Sequence, residues 1–211
     1  MVAGIDEAGR GPLIGPMVVA IACANPVKLK WLEALGVKDS KLVSPGRREK
    51  IRRALDSILE YSALRVVPPD EIDKAVQRVG FASLNELELR VMAELVLEAR
   101  KRVPVEKVYV DSPDPVPERF GRRLSELIGG GVEVVAENHA DRKYIIVSAA
   151  SIIAKAERER IVSELKKIYG DFGSGYPSDP KTLRFVAMWI ERKGALPPIV
   201  RRSWSTLKNL K

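Results

Sequence analysis

A short apolar run that ends in two adjacent carboxylates and then a glycine bend constrains this chain more than any other stretch. It reads Gly4-Ile5-Asp6-Glu7-Ala8-Gly9-Arg10-Gly11-Pro12, preceded by Met1-Val2-Ala3. Neighbouring side chains on a strand point to opposite faces. Asp6 and Glu7 therefore approach one point only if the strand ends or bends at them. Gly9 and Gly11 supply a bend, because glycine reaches backbone angles closed to other residues and lets another backbone come near. Two anions, two glycines and a cation within six residues suit a metal beside a phosphate. The same letters also suit a solvated strand end before a turn. The Gly-x-Gly lacks the third glycine of a dinucleotide-binding loop and the Gly-Lys-Ser/Thr ending of a P-loop.

The rest of the chain supplies a sheet for this strand. Pro16 to Ala24 is an apolar, partly β-branched run and reads as a second strand, with Tyr61 to Val67 as a third. Lys28 to Leu35 reads as a short helix or turn. Ser44-Pro45 opens a helix running to about Glu60, with Ile51, Leu55, Ile58 and Leu59 on its buried face. Asp70 to Arg78 reads as a short helix. Ser83-Leu84-Asn85-Glu86 has capping-box spacing and starts a long helix to about Arg102. Then come a strand at Lys107 to Asp111, a helix at Pro117 to Ile128, a strand at Val132 to Ala136 and one long helix from Tyr144 to Tyr169. A loop at Gly170 to Pro180 and a helix at Thr182 to Arg192 follow. Three early strands followed by alternating strands and helices predict an α/β fold. Its mixed sheet has a hairpin meander at one edge, parallel crossovers at the other and helices on both faces. Residues 1–169 are expected to form the main domain and 170–211 a small helical appendage.

Asp111 ends its strand as Asp6 does, so parallel neighbours would set the two acids side by side. Asp141 stands just before the long helix, where the helix dipole favours negative charge. Either a cap or a ligand fits it. Four carboxylates, with Cys23 the only cysteine and His139 the only histidine, suit Mg²⁺ or Mn²⁺ more than zinc. Paired metals of this kind sit roughly 3.5–4 Å apart in phosphodiester hydrolases, one activating water and the other stabilising the leaving oxygen. His139 fits a solvated loop or a proton-transfer role. The 36 basic against 28 acidic residues give a net charge of +8, which suits a polyanionic partner. No apolar run is long enough for a bilayer, and acidic residues follow the N-terminus at once. With no disulfide framework, a cytoplasmic, monomeric protein is expected.

These residues together resemble the ribonuclease HII family, the type 2 ribonucleases H, of the archaeal kind. The resemblance rests on Gly4 to Pro12, Asp39-Ser40-Lys41, Tyr109-Val110-Asp111-Ser112 and Ala140 through Lys155. It also rests on Gly175-Tyr176-Pro177-Ser178-Asp179 and Arg201-Arg202-Ser203-Trp204, in the family's order along nearly the whole chain. It implies a ribonuclease H-like core and metal-dependent endonucleolytic cutting of RNA in RNA–DNA hybrids or at ribonucleotides embedded in duplex DNA. It maps metal ligands onto Asp6, Glu7, Asp111 and Asp141. It maps sensing of the ribose 2′-hydroxyl onto Gly9, Arg10 and Gly11, and sensing of the neighbouring deoxyribose onto Tyr176. With the 2′-hydroxyl read there, the cut falls on the 5′ side of the ribonucleotide and leaves 3′-hydroxyl and 5′-phosphate ends. Lys41, Ser148 and Ser151 become phosphate contacts. The C-terminal end lacks the glutamine with paired aromatics of sliding-clamp ligands.

Each assignment has a plainer counterpart. Tyr176 fits loop packing, and Lys41 fits a solvated lysine. Ser148 to Ser151 fit close helix–sheet packing, and Arg201-Arg202 fit a solvated tail with Trp204 as its anchor. Two other functions fit less well. A different metal-dependent nuclease needs no 2′-hydroxyl sensor, and a non-catalytic nucleic-acid-binding module gains nothing from acids that repel phosphate.

Overall fold

The computed structural model of the chain describes residues 1–37 and 45–209. Asp39-Ser40-Lys41 and the Ser44 cap lie outside them. Five strands form one mixed sheet in the order β3-β2-β1-β4-β5. β1 (Val2–Ala8) runs antiparallel to β2 (Met17–Ala24), which runs antiparallel to β3 (Tyr61–Val67). On its other side β1 is parallel to β4 (Lys107–Asp111), and β4 is parallel to β5 (Glu133–Glu137). The mixed sheet read from the sequence, with a hairpin meander at one edge and parallel strands at the other, is therefore present. β2 is buried at every position, because helices cover both faces, which explains its continuous apolar run.

Strand parity sorts the core into two layers. Ala3 and Ile5 face α4 (Leu84–Arg100), together with α3 (Pro69–Val76) and α5 (Pro117–Leu127). Ala8, Val18, Ala20 and Ala22 face α7 (Ile145–Tyr169), with α1 (Leu29–Ala34) and α2 (Pro45–Leu55) beside it. α7 begins directly on Gly4: a Cβ there would stand 2.4 Å from the carbonyl carbon of Ile146. The first half of α7 is almost wholly buried and the second half mostly half-exposed. A third cluster joins Leu13 and Ile14 to Phe172, Val186, Ile199, Val200 and Leu207. It packs the C-terminal segment, including α8 (Pro180–Lys193), against the later turns of α7. No helix among the described residues is long and apolar enough to cross a membrane.

At α2 and α7 the helix boundary differs from the sequence reading. α2 stops at Leu55 rather than near Glu60. Ser57 there donates its hydroxyl to the Ala54 carbonyl at 2.8 Å, a local bond that competes with the helix ladder. The long helix starts at Ile145, after a separate short helix α6 (Ala140–Lys143). Tyr144 between them is extended, with its ring stacked on Tyr109 at 4.2 Å and its hydroxyl donating to Glu137 at 2.5 Å. At α4 the capping box is half made. Ser83 accepts from the Glu86 amide at 3.3 Å, while the Glu86 carboxylate turns to Arg90 and Arg123.

Candidate active site

The parallel pairing of β1 with β4 places Ile5 opposite Val110, and so brings Asp6 beside Asp111 at the C-terminal ends of both strands. Ends of this kind are where α/β sheets place their sites. Asp141 joins them from α6, and oxygens of the three carboxylates all lie within 4.8 Å of one another. Asp6 and Asp141 are buried and Asp111 is half-buried. The amide of Ala140 donates to Asp111 at 3.1 Å. Asp111 thus meets the N-terminus of α6, and His139 before it takes a left-handed backbone with φ 58°. Burial and the neighbouring Asp111 charge push Asp6 up to about 7, against Ser151 and Lys155. Burial also raises Asp111, partly offset by the Ala140 amide.

Glu7 departs from the sequence reading. β1 continues to Ala8 before the glycine bend, so Glu7 faces away from Asp6, towards α4, and lies outside the three-carboxylate group. Burial, then the charges of Asp6, Glu88 and Asp111, raise it well above the usual range. One of its oxygens is sealed from solvent without a hydrogen-bond partner. Glu7 and Asp111 both line an open cleft of about 390 Å³, with Ser112, Asp114, Asn138 and His139. A larger groove of about 850 Å³ lies elsewhere, between α5 and the edge strand β5.

Glu88 was not singled out from the sequence. It is fully buried on α4 and accepts from Arg10 Nε at 2.8 Å, while Asn85 accepts from the same guanidinium at 2.6 Å. Burial outweighs Arg10 and raises Glu88 to about 7. Its signal in the sequence is a carboxylate in register with Met92 and Leu95 on the core face of α4.

The glycine loop is held from inside. Gly9 has φ 83°, and a Cβ on it would stand 2.1 Å from Arg158 Nε. Arg158 donates to the Pro16 carbonyl at 3.3 Å and lies 5.9 Å from the Tyr176 ring centre. Arg201 is fully buried, contrary to the expectation of a solvated tail. It donates to the carbonyls of Gly15 (3.0 Å), Arg10 (2.7 Å) and Gly9 (2.5 Å). Trp204 Nε1 donates to Gly11 O at 3.0 Å. Gly175 O accepts from the amides of Leu13 and Ile14 at 2.8 and 3.0 Å. The exposed Tyr176 ring thereby lies beside Gly11, 3.7 Å from where a Cβ would stand.

Ser148 and Ser151 are buried among the acids. Ser148 donates to the backbone carbonyl of Asp141, and Ser151 faces Asp6 without reaching hydrogen-bond geometry. Neither is placed on an open surface in the way the phosphate-contact reading expects. Lys41 lies outside the described residues. Three converging carboxylates, with burial and repulsion disfavouring the charges of Asp6 and Asp111, fit a hard divalent cation. Among the described residues no other group of three or more acids, histidines or cysteines lies close enough to hold a metal ion.

Comparison with known proteins shows the family to which the chain is similar along its length. The family model for ribonuclease HII matches residues 3–207. The ribonuclease HII of Thermofilum pendens is 53% identical over 210 residues, covering 100% of this chain and 99% of the relative. The crystal structure of the ribonuclease H2 from Pyrococcus horikoshii superposes with a TM-score of 0.90 at 44% identity, over 99% of this chain and 96% of that one. The ribonuclease HII solved in complex with PCNA from Archaeoglobus fulgidus gives 0.87 at 46% identity, over 100% and 97%.

Proposed function

The chain belongs to the ribonuclease HII family and is a metal-dependent endoribonuclease acting on RNA–DNA hybrids; we propose that it also cuts at ribonucleotides embedded in duplex DNA. On this reading the cut falls on the 5′ side of the ribonucleotide and leaves 3′-hydroxyl and 5′-phosphate ends. The observation that carries it is that β1 ends at Ala8, two residues past Asp6, and leads directly into Gly9-Arg10-Gly11, with Tyr176 beside Gly11. A sugar lying on the loop is adjacent to a phosphate at the acids. The 2′-hydroxyl distinguishes RNA from DNA at that nucleotide, and a glycine backbone can approach it closely.

Asp6, Asp111 and Asp141 would hold the metal, with Glu7 reaching the same region from the other face of β1. Two divalent ions, Mg²⁺ or Mn²⁺, would supply water activation and stabilisation of the leaving oxygen. Arg10, fixed by Glu88 and Asn85, keeps its guanidinium half-exposed beside the loop. Tyr176 would lay its ring on the following deoxyribose, which makes an RNA-to-DNA junction the preferred site. Ser148 supports Asp141 through its backbone carbonyl and Ser151 faces Asp6, leaving Lys41 and exposed cations for phosphates. Residues 1–169 act as the catalytic domain and 170–211 as a substrate-binding extension packed through the third core. The relative solved with PCNA makes a sliding clamp a partner worth assaying, although residues 205–211 hold no glutamine and no aromatic.

The test is to map the cleaved bond in a duplex carrying one ribonucleotide, with an all-DNA duplex beside it. A single cut 5′ to the ribonucleotide, yielding 3′-hydroxyl and 5′-phosphate ends, is expected. Cutting of both duplexes alike would refute the reading.

A further inference from the structure

The C-terminal segment reaches the glycine loop through bonds that packing alone does not require. Asp73 on α3 fixes the segment from below. Its carboxylate accepts from the amides of Arg202 and Ser203, both at 2.8 Å, and from the Ser203 hydroxyl at 2.6 Å. On either side of this anchor, Arg201 and Trp204 reach up to the loop. Between them they take the carbonyls of Gly9, Arg10, Gly11 and Gly15. The Arg201 backbone amide takes Leu13 O at 2.9 Å. The two side chains are coupled, with the Arg201 guanidinium 4.9 Å from the Trp204 ring centre.

Burying a guanidinium is costly unless its donors are met. Here they are met by backbone carbonyls of one loop. A carbonyl held in a hydrogen bond fixes the rotation of its peptide plane, and with it the direction of the next amide. Glycine peptides need such fixing most, because glycine has the widest range of backbone angles to lose.

We propose that Arg201 and Trp204 are positioning residues that set the peptide planes of Gly9, Arg10 and Gly11 for recognition of the ribonucleotide sugar. This rests on the loop being the sugar sensor. Their side-chain hydrogen bonds go to carbonyls of the loop, so their effect on cutting passes through the loop.

Trp204→Phe keeps the ring over Arg201 and removes only the donor to Gly11. Arg201→Lys keeps the charge but loses the planar fork that serves three carbonyls. The assays are kcat and KM on a duplex with one ribonucleotide, affinity for an all-DNA duplex at the same salt, and the melting temperature with and without Mn²⁺. Trp204→Phe should lower kcat/KM on the ribonucleotide duplex about tenfold, the scale of one hydrogen bond. All-DNA affinity and the Mn²⁺-induced rise in melting temperature should be unchanged. Arg201→Lys should lose more, and if it does not fold, Trp204→Phe still decides. Wild-type kcat/KM in Trp204→Phe, or an equal loss of all-DNA affinity, overturns the proposal. Wild-type protein that cuts the all-DNA duplex as readily would overturn the sensor reading itself, and this inference with it.

Discussion

Gly4 on β1 and Ile146 on α7 touch backbone to backbone: a Cβ on Gly4 would meet both the carbonyl carbon and oxygen of Ile146 at 2.4 Å. That contact sets how low α7 lies over the sheet. It therefore sets how near α6, just before it, brings Asp141 to Asp6.

Gly4→Ala should lift the start of α7. Overpacking a core costs roughly 1–3 kcal/mol, and here the obstacle is backbone rather than a side chain that can turn. We expect a lower melting temperature and a larger proportional loss of activity, because the acids separate. Thermal melts and steady-state cutting of a hybrid check it, and an unchanged melting temperature would count against the close approach.

Asp6→Asn should remove most activity, on the order of a hundredfold or more, and yet stabilise the metal-free protein near neutral pH. Folding raises Asp6 from 3.8 to about 7, so the folded state binds its proton more tightly than the unfolded state. This group's contribution to stability is fully present below about pH 4 and is lost as pH rises through about 7. Asparagine removes that slope. For a chain of this size about 1 kcal/mol moves the melting temperature by about 2–4 °C. Melts of both proteins from pH 4 to 8 in chelator should converge at the acid end and separate at the neutral end. Equal curves at all pH values, or full activity in the variant, would sink the assignment.

Mg²⁺ or Mn²⁺ should raise the melting temperature of the wild type, since a ligand bound only by the folded state stabilises it. The rise should grow as pH climbs through about 7, because the raised Asp6 must lose its proton to bind a cation. Melts at fixed metal across that range test this. A rise that shrinks with increasing pH would contradict it.

Tyr176→Ala should slow cutting at a single ribonucleotide more than cutting within a long hybrid, because only the former presents a deoxyribose on the far side of the junction. Tyr176 is exposed and packs against Arg158 and Gly11. The loss should reach roughly 1–3 kcal/mol if a full stacking contact goes. Both substrates are compared at equal salt, since phosphate contacts make affinity salt-dependent. An equal loss on both would make Tyr176 a packing residue.

Much of the frame was legible in the letters. Apolar period and turn residues predicted the order of strands and helices, and Asp6 and Asp111 each close an apolar run, which set them at strand ends. Their meeting required only that β1 and β4 be parallel neighbours in register, a matter of topology that local pattern constrains. What the letters left open depended on contacts between distant segments. Where β1 stops decided that Glu7 faces α4 rather than Asp6, and the stop depends on its pairing with β2. Glu88 under Arg10 joins residues 78 apart, and Arg201 on the Gly9 carbonyl joins residues 192 apart. Backbone carbonyls carry no residue identity, so no sequence motif marks them as partners. Only the third core, by folding the C-terminal segment back on Leu13 and Ile14, turned a basic tail into the inner support of the glycine loop.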